Sequence, residues 1–214
     1  VQKDAFEKDI LPVIALNVLR AEIENEPEHA RVIARAHRGR DRRAALRRGY
    51  HFGLIASADG HDGHPGEAQG PYVKHPHQYH FCGSGRAAAL AAELTREAVF
   101  DALHARRCYA TSGPPILLDV RVNGALMGQR LTAPRRGRPQ VTVQCRGTTG
   151  LDHLRVVRNG QVVYTHPCHG EEEVDLEWAD AASLGAGPVS YYVRVVQRDR
   201  ESAWSSPIRL EPGA

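Results

Sequence analysis

The sequence is short of methionine, cysteine and aromatic residues, and it has no long apolar run. Met127 is the one methionine in 214 residues, cysteine occurs four times, and Phe, Trp and Tyr together make up 6%. Cys82, Cys108, Cys145 and Cys168 are too few and too widely spaced for a disulfide-stapled scaffold or a zinc ribbon. They are expected to be reduced, structural thiols. No stretch approaches the roughly 18 to 20 apolar residues that cross a bilayer, so no membrane span is expected. Val1-Gln2-Lys3-Asp4 carries no signal-peptide pattern. A net charge of only +3, with 25% charged residues, excludes a disordered polyelectrolyte. The chain starts at Val1 rather than at a methionine. It is therefore expected to be a piece of a longer polypeptide, with any amino-terminal signal upstream. What is present, 42% hydrophobic residues, suffices for one large core or for two of about 100 residues each.

Charge is unevenly spread. Eight arginines lie between Arg31 and Arg48, opposed only by Asp41, and six acids fall between Glu171 and Asp180. No aromatic residue interleaves those arginines and no nucleic-acid motif accompanies them. They read as solvated surfaces, and no nucleic-acid partner is expected.

The first half reads as helix and the second as strand. Apolar residues from Pro12 to Asn25 recur at helical spacing and Pro27 closes the run; further helices are expected at about Glu28 to His37 and Asp41 to Gly49. The mostly apolar run His51 to Ser57 lacks alternation, as a strand buried on both faces of a parallel sheet does. A turn-rich loop follows from Asp59, without periodicity to about Gly85. Arg86 to Ala92 fits a strand or a helical start, and Thr95 is the expected N-cap of a helix running to Arg107. After Ser112-Gly113-Pro114-Pro115 the period changes to two, with Asn123-Gly124 and Asn159-Gly160 as hairpin turns. Strands are expected at about Ile116 to Val122, Gln140 to Cys145, Leu154 to Tyr164, Val174 to Trp178, Val189 to Val196 and Pro207 to Leu210. An antiparallel sandwich over 113–214 follows from that spacing. Trp178, Tyr191, Tyr192 and Trp204 fit its core better than a sugar-binding platform.

The local constellation with the most chemistry is Asp59-Gly60-His61. A carboxylate and an imidazole two residues apart in a loop can converge on one divalent cation, and O and N donors suit Zn, Mn or Fe. An Asp capping a turn beside an exposed His is the plainer alternative. The expected position after a buried strand favours the ligand reading, because sites in α/β folds gather at the carboxyl ends of strands.

The stretch from Arg47 through Asp59-Gly60-His61 to Gly63-His64-Pro65-Gly66 resembles the last strand and metal-binding loop of the PHP (polymerase and histidinol phosphatase) metallohydrolases, in the DUF3604 branch. Leu94 to Leu103 with Arg107 to Thr111, and Ala203-Trp204-Ser205-Ser206-Pro207-Ile208, are similar to the same branch. The likeness extends from about residue 41 to 210. It implies a distorted (βα)7 barrel whose loops hold two or three metals that activate water against a phosphoester, with Asp59 and His61 as ligands. The resemblance also carries a departure. Such proteins take most ligands from a His-x-His motif, a Glu and further histidines upstream, whereas only His29, His37 and His51 precede Asp59 here. Most of the implied site is absent from this chain.

The other histidines read differently. His51 is expected to be structural, and His29 and His37 solvated. His75-Pro76-His77, with His80 and Cys82, has ligand types that could hold a transition metal, although a polar surface loop is the simpler reading. His64 is a candidate general acid or phosphate contact, or an ordinary turn residue. The fold expected is α+β: carboxyl-terminal αβ elements of a PHP-type barrel over residues 1–112, then the β-sandwich over 113–214. The function expected is that of a partial metal-dependent hydrolase of phosphoesterase type, inactive alone, acting in its parent on a small phosphorylated molecule. The alternative is a non-catalytic β-sandwich interaction or ligand-binding module with a vestigial metal loop.

Overall fold

The structure, a computed structural model, describes residues 51–56, 85–133, 137–184 and 187–213, together with Leu46 and the backbone of Val13–Leu16. In chain order the elements are β1 (Val13–Leu16), β2 (Arg86–Leu90), α1 (Arg96–His104), β3 (Cys108–Thr111), β4 (Leu117–Val122), β5 (Ala125–Leu126), β6 (Arg130–Ala133), β7 (Gln140–Arg146), β8 (Leu151–Arg158), β9 (Gln161–Pro167), β10 (Glu173–Ala179), β11 (Val189–Gln197), β12 (Ser202–Ser205) and β13 (Ile208–Pro212). They form two sheets. The larger runs β1-β2-β3-β12-β11-β13-β6, with β8 on the other edge of β11 and β9 beyond it; the smaller runs β10-β7-β4-β5.

The alternation after Gly113 produces the sandwich directly. Leu118, Val120 and Val122 of β4, Val141, Val143 and Cys145 of β7, and Val174 and Leu176 of β10 turn the same way, and Glu173, Asp175 and Glu177 turn outward. Those apolar residues share one core with Leu154, Val156, Tyr191, Val193, Val195, Ile208 and Leu210 of the larger sheet. Both hairpin turns form as expected: Asn123-Gly124 and Asn159-Gly160 have positive φ at both positions, which matches the right-handed twist of the strands they join. The two layers are also joined by polar groups. Asp180, just after β10, accepts hydrogen bonds of 2.8 Å from both Arg158 of β8 and the Tyr191 hydroxyl of β11.

The first half departs from expectation. A barrel of βα units needs parallel neighbours, yet among the described residues only β6 and β13 pair in parallel. The α+β reading, with its partial (βα)7 barrel, is therefore replaced by a mostly β structure. Val13–Leu16, expected within a helix, pairs antiparallel with β2, where a free sheet edge offers a ladder to β-branched residues. Arg86–Leu90 is a strand. Residues 51–56 form no strand. Instead Phe52, Leu54 and Ala56 pack over the outer face of the larger sheet against Ala110, Val157, Tyr192 and Trp204, joined by Leu46. An apolar run without alternation describes such a covering segment as well as it describes a central strand. Strands β2 and β3, which precede Gly113, share the larger sheet with β11 and β12, which follow it. Helix α1 begins at the expected cap, with the Thr95 hydroxyl accepting from the Ala98 N–H at 3.2 Å, and ends before Arg106, whose φ is 61°.

Strand β11 is buried at every position, since one face meets the core and the other meets the covering segment. Its neighbour is broken at Ser206-Pro207, where proline has no N–H for a ladder. Hydroxyls fill the gap. Ser205 Oγ accepts from the Val193 N–H at 3.0 Å, and Ser206 Oγ accepts from the Leu54 N–H at 2.8 Å while donating to the Cys108 carbonyl. The segment Ala203 to Ile208 is thus the strand break that holds the covering segment. Ser206→Ala leaves the Leu54 N–H without its partner and is expected to destabilise by about 1–3 kcal/mol in urea unfolding. An unchanged midpoint would show that this hydroxyl does not hold the segment.

Candidate metal centre

The residues singled out from sequence as ligands or acid, Asp59, His61, His64, His75, His77 and His80, lie outside the described residues, as does Cys82. The residues flanking them are described. Ala56 is buried in one cluster with Ala110 of β3. At the other flank the Gly85 N–H donates to the Ser112 carbonyl at 3.1 Å, and Arg86 pairs with Thr111. Both flanks therefore rest beside β3.

His51, expected to be structural, is held in a cationic surrounding. Burial, and then the charges of Arg106, Arg130 and Arg209, push its pKa down from 6.5 to about 4, against a backbone hydrogen bond with Gly128 that works the other way. Its Nε2 is buried without a hydrogen-bond partner. The Gly128 turn requires glycine: φ is +84°, and a Cβ would lie 2.0 Å from the Arg106 carbonyl oxygen. His51 is thus a partly buried imidazole beside arginine charges at the start of the covering segment.

Among the described residues one group of side chains has metal-binding chemistry: His166, Cys168 and Glu171, whose donor atoms all lie within 4.8 Å of one another. The fold places them one by one. His166 is near the end of β9, where its Nδ1 is 3.4 Å from the Tyr164 hydroxyl, and Tyr164 stacks on Trp178 with centroids 5.1 Å apart. The Cys168 N–H donates to the Asp152 carbonyl at 2.8 Å, extending the β8–β9 ladder by one residue. Gly170 then turns the chain with φ +104°, where a Cβ would sit 2.5 Å from the Arg198 guanidinium carbon. The Arg198 guanidinium donates to the His169 carbonyl. Glu171 accepts from the His169 N–H at 2.6 Å, and its carbonyl accepts from the Leu151 N–H at 2.8 Å.

Charge in this turn is mostly negative. The Cys168 thiol is raised to about 11, first by burial and then by the nearby carboxylates of Glu171 and Asp152. Backbone N–H groups of Glu171 and His169 hold the Glu171 carboxyl below its ordinary range. An imidazole, a thiol and a carboxylate together match a borderline-soft cation, with the thiol losing its proton on binding. Cysteines considered one at a time give no sign of this triad in the sequence. The signal available was the run His166-Pro167-Cys168-His169-Gly170-Glu171, which gathers four donor side chains into six residues. Cys108, Cys145 and Cys168 are free and buried, as expected of structural thiols.

The model of a protein family of unknown function, DUF3604, matches residues 67–140. An uncharacterized protein of Chlamydia pneumoniae is 36% identical over 141 residues, covering 59% of this chain and 23% of that protein. An uncharacterized protein of Chlamydia muridarum is 31% identical over 140 residues, covering 59% of this chain and 22% of that protein. These matches support the DUF3604 family. The chain spans less than a quarter of the length of either relative. Among solved structures, the fibronectin(III)-like modules of Clostridium thermocellum CbhA are similar at 10% identity and a TM-score of 0.32, covering 44% of this chain and 98% of that one. The DUF3604 part of the resemblance seen in the sequence is thereby supported, and the matching family model names no activity for it.

The His51 surrounding has a consequence for acid stability. The unfolded state binds a proton near pH 6.5 and the folded state only near pH 4, so stability attributable to this group is present above pH 6.5 and is lost as pH falls towards 4. In His51→Gln the unfolding midpoint is expected to fall less steeply between pH 6.5 and 5 than in the parent. Parallel pH profiles would refute this account.

Proposed function

We propose that this chain is a non-catalytic β-sandwich module of a longer DUF3604 protein, whose task is to hold a binding segment, residues 57–84, at one sheet. The observation that carries this reading is the use made of the larger sheet's outer face. Phe52, Leu54 and Ala56 cover it before the segment, and Gly85 with β2 returns to the same strand, β3, after it. An apolar face of this kind commonly packs on another domain; here the chain covers it with its own residues, and the segment leaves and rejoins beside them.

Within this reading Asp59 and His61 bind a divalent cation of the Zn, Mn or Fe class, and other parts of the longer protein complete its coordination. Support comes from the donor chemistry of the Asp-x-His triplet. Hydrolysis of a small phosphorylated molecule, which the PHP likeness implies, would belong to the longer protein; it is not proposed for this chain.

Mn(II) is the suitable probe, because it prefers oxygen and nitrogen donors and discriminates against thiolate. The expected result is that the chain binds Mn(II), read as loss of the free-ion electron paramagnetic resonance spectrum, that Asp59→Ala/His61→Ala restores the free-ion spectrum without lowering the unfolding midpoint, and that no phosphomonoester or phosphodiester is turned over. Turnover lost in Asp59→Ala would overturn the non-catalytic reading. Unchanged Mn(II) binding in the double variant would overturn the assignment of the two ligands.

A further inference from the structure

We propose that the turn joining β9 to β10 is a second, separate cation site, in which His166, Cys168 and Glu171 bind a borderline-soft divalent metal of the Zn(II) class. The site does not depend on the segment that carries Asp59 and His61, and the module reading survives if it is wrong.

Two observations converge on it. The first is donor identity and spacing. A tetrahedral zinc centre with Zn–S near 2.3 Å and Zn–N near 2.0 Å holds its ligand atoms about 3.3–3.6 Å apart. The three donors lie within 4.8 Å of one another before any metal is considered. The difference is about an ångström, and Glu171, the exposed member of the three, has room to adjust.

The second is rigidity of the frame. Cys168 is fixed by its ladder bond to Asp152, and the turn is fixed by Arg198, whose guanidinium donates to the His169 carbonyl and whose N–H donates to the Gly150 carbonyl at 2.9 Å. Gly170 leaves just enough room for that guanidinium. His166 is steadied by the Tyr164 hydroxyl, an outer contact of the kind that orients metal-bound histidines. A turn with this many fixed points presents its donors with little ordering left to be done on binding.

Water is available for the fourth position of a three-ligand site.

The test uses the whole chain, reduced and freed of metal, titrated with Co(II) and then displaced with Zn(II). A thiolate-to-cobalt charge-transfer band and intense ligand-field bands report tetrahedral binding through sulfur. The charge-transfer band is expected to saturate at one equivalent, with a Zn(II) dissociation constant at this site of about 1 μM or tighter. Cys168→Ser is expected to abolish the charge-transfer band, and His166→Gln and Glu171→Gln each to weaken binding by about tenfold or more. Cys82→Ser and Asp59→Ala/His61→Ala are expected to leave the band intact. Cys168 is buried, so its replacement is checked by circular dichroism; Glu171 is exposed, and its variant decides the matter should Cys168→Ser fail to fold. No charge-transfer band in the parent chain, a band that survives in folded Cys168→Ser, or unchanged affinity in both other variants would overturn the site.

Discussion

Everything described here is arranged around β11, a strand buried on both faces. A strand in that position satisfies its backbone through two neighbours and its side chains through two layers, so it can exist only where both are supplied. The core supplies one layer through Tyr191, Val193 and Val195. The other depends on Leu46, Phe52, Leu54 and Ala56, which cover Tyr192 and Trp204. Without these, two large aromatic side chains would face water on an open sheet, a patch of the kind that promotes association. The covering segment is thus part of the sandwich's stability although it contributes no strand to it.

The break at Ser206-Pro207 is what reconciles these demands. Because the last strand is interrupted, its first part, β12, pairs with β3, and its second part, β13, pairs in parallel with β6. The sheet can fork at this point only if the backbone groups freed by proline find partners. Ser205 and Ser206 supply them, one towards β11 and one between the covering segment and β3. A small hydroxyl is the residue type that can both accept and donate in so confined a place. The run Ala203 to Ile208 thereby has a structural role in the fold.

The legible part of the sequence was the part in which local and tertiary signals agree. From Leu117 to Leu210, period-two alternation, two Asn-Gly turns and punctuated spacing all specify the same sandwich. In the first half one pattern serves two structures. Val13, Ile14 and Leu16 suit a helix face, but they also suit a β-branched edge strand, and the edge of β2 decided between them. His51 to Ala56 is apolar because it lies on a sheet, not within one. The His166-Cys168-Glu171 group was missed for a different reason. Its members are spaced neither as a helix face nor as a recognised ligand motif, and they converge only because Gly170 reverses the chain against Arg198.

That convergence is linked to the rest of the molecule at one end of β11. From the turn at His169 the hydrogen bonds run to Arg198 and on to Gly150. Beside them Gln197 receives the Thr148 N–H on its side chain at 2.7 Å and donates its own N–H to the Glu201 carbonyl at 2.8 Å. Glu201 bonds the Ser112 hydroxyl, and the Ser112 carbonyl receives the Gly85 N–H. The turn with cation-binding chemistry and the point at which the chain returns from residues 57–84 are therefore successive stations on one network, not opposite poles of the sandwich. Most of these links join residues at the ends of β2, β3, β8, β11 and β12, where the strands give way to turns. The opposite pin of the sandwich, Asp180 with Arg158 and Tyr191, lies outside that network and ties the layers together whatever occupies the turn.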